Sequence, residues 1–423
     1  MDNLDKIFRA YDVRGVYPQE LDETIAYKIG RATARFLKTK EIIVGRDNRS
    51  SSDSLFKCLC EGIRDEGVDV IDIGLVISPM LYWATAENGH KGGIMITASH
   101  NPSDHNGFKI IKKEAVPVGG DSGLKKIKKL VKKEKFKDKK RGNIKKVEIF
   151  KKYIEDVLKS INPKNIKPLK IFADYSGGTA DRVIPELFKN LPVGLTDSLS
   201  EKIDFGISVD RDGDRILFID EKKQEINPDL ITALLIHYFF KDAGKILYTA
   251  IASRGVKEEI EKNGNIPICS RVGHTFIKEK MEKEKISFGF ESSGHYYFGN
   301  KYVLESPLNT LLKVMEIVSQ TQKPISDLIK PFQKYYQERF DFKTGDFWQI
   351  IKKLEKEFKK MGARHGRPAK IYRIDGLTVE YPDWWFNLRQ SNTESVVRLT
   401  IEAKTKKLLE EKKQKISQII RLN

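Results

Sequence analysis

With 423 residues, 39% of them hydrophobic, the chain is long enough for several cores, and its length suggests roughly three domains. Three cysteines, an odd number, exclude a disulfide framework and point to a reducing compartment. The net charge of +18 raises nucleic acid as a partner, but the segment 125–146 holds 13 basic and 2 acidic residues, +11 of that total.

In chain order, Phe8-Arg9-Ala10-Tyr11-Asp12-Val13-Arg14-Gly15 places two arginines around a loop, where guanidinium groups suit an anion as well as a charged surface turn. Apolar residues at helical spacing (Ile25, Ile29, Ala32, Phe36) predict a helix over 21–37. A buried strand follows at 41–44, then a helix over 55–66 stopped by Gly67, with Cys58 and Cys60 as core filler, and a strand at 68–73. The apolar run Gly93-Ile94-Met95-Ile96 reads as the end of a buried strand that delivers Thr97-Ala98-Ser99-His100-Asn101-Pro102. Asn-Pro stops the strand and Asn106-Gly107 predicts a tight turn, returning Lys109 beside Ser99. A serine so placed, with His100 and a lysine near, suggests an oxygen nucleophile or a phosphate carrier, as against a plain strand connection.

Within the lysine-rich segment, Leu124, Ile127, Leu130 and Val131 recur at helical spacing, so the lysines form the outer face of a helix leading into a linker. Its single aromatic, Phe136, leaves it without the interleaved rings of single-strand binders, and no nucleic-acid partner is expected. A second unit has a strand at 169–173, a loop Asp174-Tyr175-Ser176-Gly177-Gly178-Thr179, a helix through Phe188, a strand at 205–209, and then Asp210-Arg211-Asp212-Gly213-Asp214-Arg215. A third has a strand at 245–248, Ser253-Arg254-Gly255, a helix to Lys262, and a strand at 286–290 running into Glu291-Ser292-Ser293-Gly294-His295. The shared order (strand, polar loop, helix, later strand, functional loop) predicts three related α/β domains with mixed, mainly parallel sheets whose loops converge at strand ends. After Pro331 short aromatic strands and a terminal lysine-rich helix predict a smaller α+β domain. The divisions are 1–146, 147–241, 242–334 and 335–423.

Asp210, Asp212 and Asp214 alternate around Gly213, and in an extended loop carboxylates two apart face one way. Three such groups need a cation, and an oxygen-only set with few protein ligands suits Mg²⁺. The pattern starts like an EF-hand loop but lacks its final glutamate, and strands rather than helices flank it. The N-terminus lacks a basic n-region and an apolar h-region, and the apolar run 231–240 is too short to span a bilayer, so a soluble, cytoplasmic protein is expected.

Taken together, Thr-Ala-Ser99-His-Asn-Pro, Asp210 to Arg215, Glu291-x-Ser293-Gly294-His295 and Arg389-x-Ser391-Asn392-Thr393-Glu394 resemble, in order, the motifs of the α-D-phosphohexomutase superfamily, most nearly its phosphomannomutase/phosphoglucomutase branch. The resemblance runs from Phe8 to Leu399. It implies a phosphoserine at Ser99 in the first domain and one Mg²⁺ held by Ser99 through its phosphate and by Asp210, Asp212 and Asp214 in the second. It further implies Tyr11, Arg14, His100, Lys109 and Arg215 near the reacting oxygens. His274, Glu291, Ser293 and His295 would read the sugar in the third domain. Arg389, Ser391, Asn392 and Thr393 would hold the phosphate that is not transferred, in the fourth, with Arg398 a further substrate-binding residue. The implied activity is reversible phosphoryl transfer between C1 and C6 of a mannose or glucose phosphate, with the hexose 1,6-bisphosphate as intermediate and activator, by a monomer or weak homodimer.

Three positions depart from that pattern. Phe290 stands for a usual glycine, Ser395 for a frequent proline, and Ile251 for a lysine some relatives use on substrate. The chemistry is consistent with the resemblance, because phosphoryl transfer needs positioning and charge neutralisation above all. Lys109 is the first candidate to move the hydroxyl proton, if Arg14 and the cation lower its pKa, and His100 is the rival. A phosphoglucosamine mutase, a phosphatase using Ser99 as nucleophile, and a non-catalytic basic scaffold are the alternatives.

Overall fold

The computed structural model describes residues 3–133, 139–343, 346–364, 369–391 and 396–421. The chain makes two compact units: Met1–Asn227 with Lys278–Gly289 and Ser293–Ser326, and Pro228–Ile277 with Phe290–Ser292 and Asp327–Asn423.

In the first unit, β1 (Val13–Val16), β2 (Glu41–Arg46), β3 (Asp69–Leu75), β4 (Gly92–Ile96), β5 (His105–Lys112) and β6 (Ile144–Lys146) form a sheet in the order β1-β5-β4-β2-β3-β6. Strands β4, β2, β3 and β6 run parallel, while β5 returns antiparallel between β4 and β1. The inner strands are continuous apolar runs, as burial on both faces requires. A second sheet orders β7 (Leu169–Asp174), β8 (Val193–Thr196), β9 (Phe205–Val209), β10 (Ile216–Ile219) and β11 (Glu225–Ile226) as β11-β10-β9-β7-β8. It is parallel at β9-β7-β8 and antiparallel beyond.

Further along the chain, β12 (Lys245–Thr249) and β13 (Ile266–Ser270) pair in parallel within the second unit. After β14 (Phe288–Glu291), β15 (His295–Gly299) and β16 (Val303–Glu305) make an antiparallel pair within the first. The second unit ends in an antiparallel sheet of β17 (Tyr336–Phe342), β18 (Lys370–Tyr372), β19 (Leu377–Glu380), β20 (Trp384–Gln390) and β21 (Val397–Ala403), ordered β17-β21-β20-β19-β18. The apolar faces of helices Phe347–Arg364 and Lys406–Arg421 supply Ile350, Leu354, Phe358, Leu409 and Ile416 to its core. Mixed α/β sheets with a small C-terminal antiparallel domain are the fold class the sequence pattern implied.

Two helices of the first unit show how closely backbone can approach. Helix Glu23–Leu37 starts at Asp22, whose side chain accepts the Ile25 N–H at 2.8 Å, and it lies on helix Ser52–Asp65. Gly30 and Gly62 make the crossing possible, since a Cβ at Gly62 would lie 2.1 Å from the Tyr27 carbonyl oxygen and one at Gly30 2.2 Å from that of Leu59. The buried Glu66 then locks the pair, with the Nε atoms of Arg31 and Arg35 each 2.9 Å from its carboxylate.

Some expectations change. Asn106 and Gly107 lie inside β5, not in a turn, and Gly107 is there because a Cβ would meet the Val13 carbonyl of β1 at 2.1 Å. Residues 144–146, read as linker, form the edge strand β6. Helix Ser78–Glu87 escapes the periodicity because it is buried on all sides and so has no polar face. The lysine-rich helix is present as Lys125–Lys132, with Ile127 and Val131 buried and Lys128 and Lys132 on Asp5 at 2.6 and 3.2 Å; Phe136 lies outside the described residues. Among the described residues no helix is long and apolar enough to cross a membrane.

Gly62→Ala should force the two helices apart and destabilise the protein by about 1–3 kcal/mol, the usual cost of overpacking. Urea unfolding measures this. An unchanged midpoint would mean that the helices slide without penalty.

Candidate active site

The loop between β4 and β5 carries Ser99, which is 1% exposed and held at φ 50°, a left-handed conformation uncommon outside glycine, asparagine and aspartate. Its N–H donates to Thr97 Oγ1 at 2.8 Å, and its hydroxyl donates to Asp210 Oδ2 at 2.8 Å. His100 Nδ1 lies 3.4 Å from the same hydroxyl. Strained backbone at a reactive side chain is a recurring device for presenting it.

Sheet register brings two cations alongside. Lys109 of β5 pairs with Met95 of β4, and Arg14 of β1 pairs with Gly107 of β5. Lys109 and Gly107 are two residues apart, so they share a face. Arg14 Nη1 donates to Asn101 Oδ1 at 2.7 Å, at the far side of the Ser99 loop, and Nη2 pairs with Asp12. Tyr11 is half-buried in the bend before β1.

The acidic loop joins β9 to β10. Asp210 Oδ1 accepts the N–H groups of Asp214 and Arg215, both at 3.1 Å, and its carbonyl accepts that of Gly213 at 2.9 Å. Gly213 sits at φ 67°, and a Cβ there would be 2.5 Å from Ile77 Cγ2, so the bend needs glycine twice over. Asp212 is buried; its Oδ2 accepts the Ser78 hydroxyl at 2.6 Å and the Lys109 ammonium at 2.6 Å. Asp214 Oδ2 takes the same ammonium, and its Oδ1 lies 3.4 Å from His295 Nε2. Ser293 Oγ is in turn 3.0 Å from His295 Nδ1. Arg215 Nε stands 3.7 Å from Asp210 and 3.9 Å from Asp214.

One oxygen from each of Asp210, Asp212 and Asp214 can be chosen so that all three lie within 4.8 Å of one another. Asp212 Oδ1 is buried and accepts no hydrogen bond. A buried carboxylate oxygen left over in an all-oxygen cluster fits a hard divalent cation such as Mg²⁺.

Electrostatics divide the cluster. Burial, then Asp214 and Asp212, push Asp210 up to about 8. Burial acts the same way on Asp214, but Lys109 and His295 outweigh it and hold that carboxyl well below its usual range. Burial alone would lower Lys109, yet Asp212 and Asp214 raise it well above an ordinary lysine, the reverse of the depressed value expected from Arg14 and a cation. Burial, then Arg215 and Arg14, hold His100 down to about 3.

The second unit holds the remaining candidates. Glu291 is buried at the end of β14, and His274 opens helix His274–Glu284 directly after Gly273. Arg389 and Arg398 lie directly opposite each other on β20 and β21. Like charges so paired repel unless countered. Arg389 Nε is 3.9 Å from the buried Asp375 and Arg398 Nε 3.3 Å from Asp341, while Asp375 also accepts the Val272 N–H at 3.0 Å, two residues before His274. Ser391 follows β20 directly; Asn392 and Thr393 lie outside the described residues.

Several participants had not been singled out in the sequence. Ser78 is marked only by the Ser-Pro start of a helix, and Asp375 only by the Asp-Gly turn before β19. The buried Lys278, its Nζ 4.1 Å from the centroid of the Tyr82 ring, carries no local signal at all.

Residues 5–138 match the family model of phosphoglucomutase/phosphomannomutase alpha/beta/alpha domain I, residues 227–335 that of domain III, and residues 324–419 that of the C-terminal domain. The chain is 34% identical over 459 aligned residues to a phosphomannomutase of Vibrio cholerae, with 98% of each covered. It is 32% identical over 449 to a phosphomannomutase of Methanocaldococcus jannaschii, covering 98% of this chain and 97% of the other. The crystal structure of a phosphoglucomutase/phosphomannomutase family protein from Burkholderia thailandensis superposes with a TM-score of 0.88 at 27% identity, over 99% of this chain and 97% of that one.

A cation bound by the three carboxylates should stabilise the folded form, by about 2.7 kcal/mol at a hundredfold excess over its Kd. Millimolar Mg²⁺ should therefore raise the Tm of the wild type and leave that of Asp212→Asn unmoved. Equal rises in both would place the ion elsewhere.

Proposed function

Since this chain belongs to the phosphoglucomutase/phosphomannomutase family and is an isomerase, we propose that it moves a phosphoryl group reversibly between C1 and C6 of a hexose. Ser99 carries that group and a hexose 1,6-bisphosphate is the intermediate. The observation that supports this most directly is the Ser99 hydroxyl, presented from a left-handed backbone and donating at 2.8 Å to the first carboxylate of the acidic cluster.

Starting from phosphorylated Ser99, a sugar hydroxyl attacks phosphorus as the bond to Ser99 Oγ breaks, and the proton of the attacking hydroxyl is balanced by one gained at Oγ. The bisphosphate then turns, and its other phosphate returns to Ser99. Mg²⁺, held by Asp210, Asp212, Asp214 and the phosphoserine, would supply charge withdrawal from the phosphoryl oxygens. Of the two candidates for handling the proton, His100 Nδ1 stands 3.4 Å from Ser99 Oγ, and Lys109 is paired with Asp212 and Asp214. Lys109, Arg14 and Arg215 then act as positive charge near the reacting oxygens, with Tyr11 beside them.

His274, Glu291, Ser293 and His295 would read the sugar, and Arg389, Ser391, Asn392, Thr393 and Arg398 would hold the phosphate that stays. Two arginines face to face on adjacent strands suit an anion that both can share.

Turning the bisphosphate by half a turn exchanges C1 with C6 and roughly exchanges the 3- and 4-hydroxyls, so a loop that works in both orientations reads those two. The 2-position has no counterpart after the turn. Glucose 1-phosphate and mannose 1-phosphate should therefore both be substrates, with kcat/KM separated by no more than about 1–3 kcal/mol. Ser99→Ala should lose most activity and Glu291→Gln should weaken both sugars. Coupled assays measure all of these. A strong preference for glucosamine 1-phosphate would make the chain a phosphoglucosamine mutase, free phosphate as the main product would make it a phosphatase, and full turnover by Ser99→Ala would end the phosphoserine reading.

A further inference from the structure

We propose that Arg49 is the positioning residue that sets the Ser99 loop in the geometry from which the phosphoryl group is exchanged, an inference that rests on the phosphoserine reading above.

The loop between β4 and β5 has a structural problem. The carbonyls of Ser99, Asn101 and Pro102 lie outside any strand, and backbone acceptors left unmet in an interior are costly. Arg49 meets these three and that of His105, the first residue of β5, at once. Its Nη1 donates to the carbonyls of Pro102 at 2.6 Å and His105 at 2.9 Å, and its Nη2 to those of Ser99 at 2.6 Å and Asn101 at 2.7 Å. The fifth donor, Nε, goes to Asp47 Oδ2 at 3.2 Å. The planar guanidinium has five donors in a rigid fork, and all are used on this loop and its anchor. One acceptor belongs to Ser99 itself, the residue held at φ 50°.

The anchor is tied to the same strands. Asp47 is buried; its N–H donates to the Ile96 carbonyl at the end of β4 at 3.0 Å, and its Oδ1 accepts from Arg49 N at 3.1 Å and Ser52 Oγ at 2.7 Å. At the far end of the loop, Asn106 Nδ2 reaches Ser51 Oγ at 2.9 Å and Ser52 Oγ at 3.1 Å. Residues 47–52 thus template both ends of the loop and its middle. Arg49 is 4% exposed and does its work behind the loop, through backbone atoms. Lysine keeps the charge at this place and loses the fork, so it cannot hold four carbonyls in register.

The test uses full-length wild type, Arg49→Lys and Arg49→Ala. Each is incubated with glucose 1,6-bisphosphate, the phosphate on Ser99 is measured by peptide mass, and kcat, KM and a circular-dichroism melt are recorded. The expected result is a folded Arg49→Lys whose kcat falls about 10²-fold, the effect of a displacement near 1 Å, while KM changes little. Added guanidinium at tens of millimolar should restore part of the kcat of Arg49→Ala. If the wild type takes no phosphate at Ser99, the phosphoserine reading fails and this inference with it. If the wild type is phosphorylated while folded Arg49→Lys keeps its kcat, the positioning role alone is overturned. Loss of fold in both variants would also overturn it, making Arg49 a scaffold residue.

Discussion

A single ammonium group between two carboxylates joins the two sheets of the first unit. Lys109 comes from the first sheet of its unit and Asp212 and Asp214 from the second, and all three are buried. Removing one member of a buried ion pair commonly costs about 3–5 kcal/mol, because the partner is left charged and dry. The Ser99–Asp210 and Ser78–Asp212 hydrogen bonds cross between the same two segments, so the serine loop and the acidic loop are placed by one polar cluster. The proposed chemistry and the docking of two sheets therefore draw on the same side chains. A substitution that weakens one is bound to disturb the other.

Much of this was legible in the chain, for a physical reason. Strands buried on both faces are apolar without interruption, and polar loops at their ends are where side chains can meet, so Ser99 and the Asp210–Asp214 alternation stood out. What the chain could not show were properties set by a partner from elsewhere. Lys109 was expected to have a lowered pKa because sequence places Arg14 and a cation in its region; register instead delivers it to two carboxylates more than a hundred residues away. Asn106-Gly107 has the composition of a turn, but its glycine serves the close approach of β1, a constraint with no local signature.

The second unit shows the same limit. Arg389 could be singled out from its motif, while Asp375, which stands 3.9 Å from it and accepts the Val272 N–H, could not. One carboxylate so placed links the strand of the arginine to the segment that leads into His274. Helix Ser78–Glu87 was missed for the opposite reason: total burial erases the amphipathic pattern by which helices are read.

The left-handed backbone at Ser99 also bears on the choice of amino acid there. Threonine offers the same hydroxyl and the same phosphate ester, yet its branched Cβ is poorly tolerated at positive φ. The extra methyl would have to be housed at a site that is already 1% exposed. The two hydroxyl amino acids, equal in chemistry, are unequal in this loop, and the discrimination is made by the main chain before any substrate arrives.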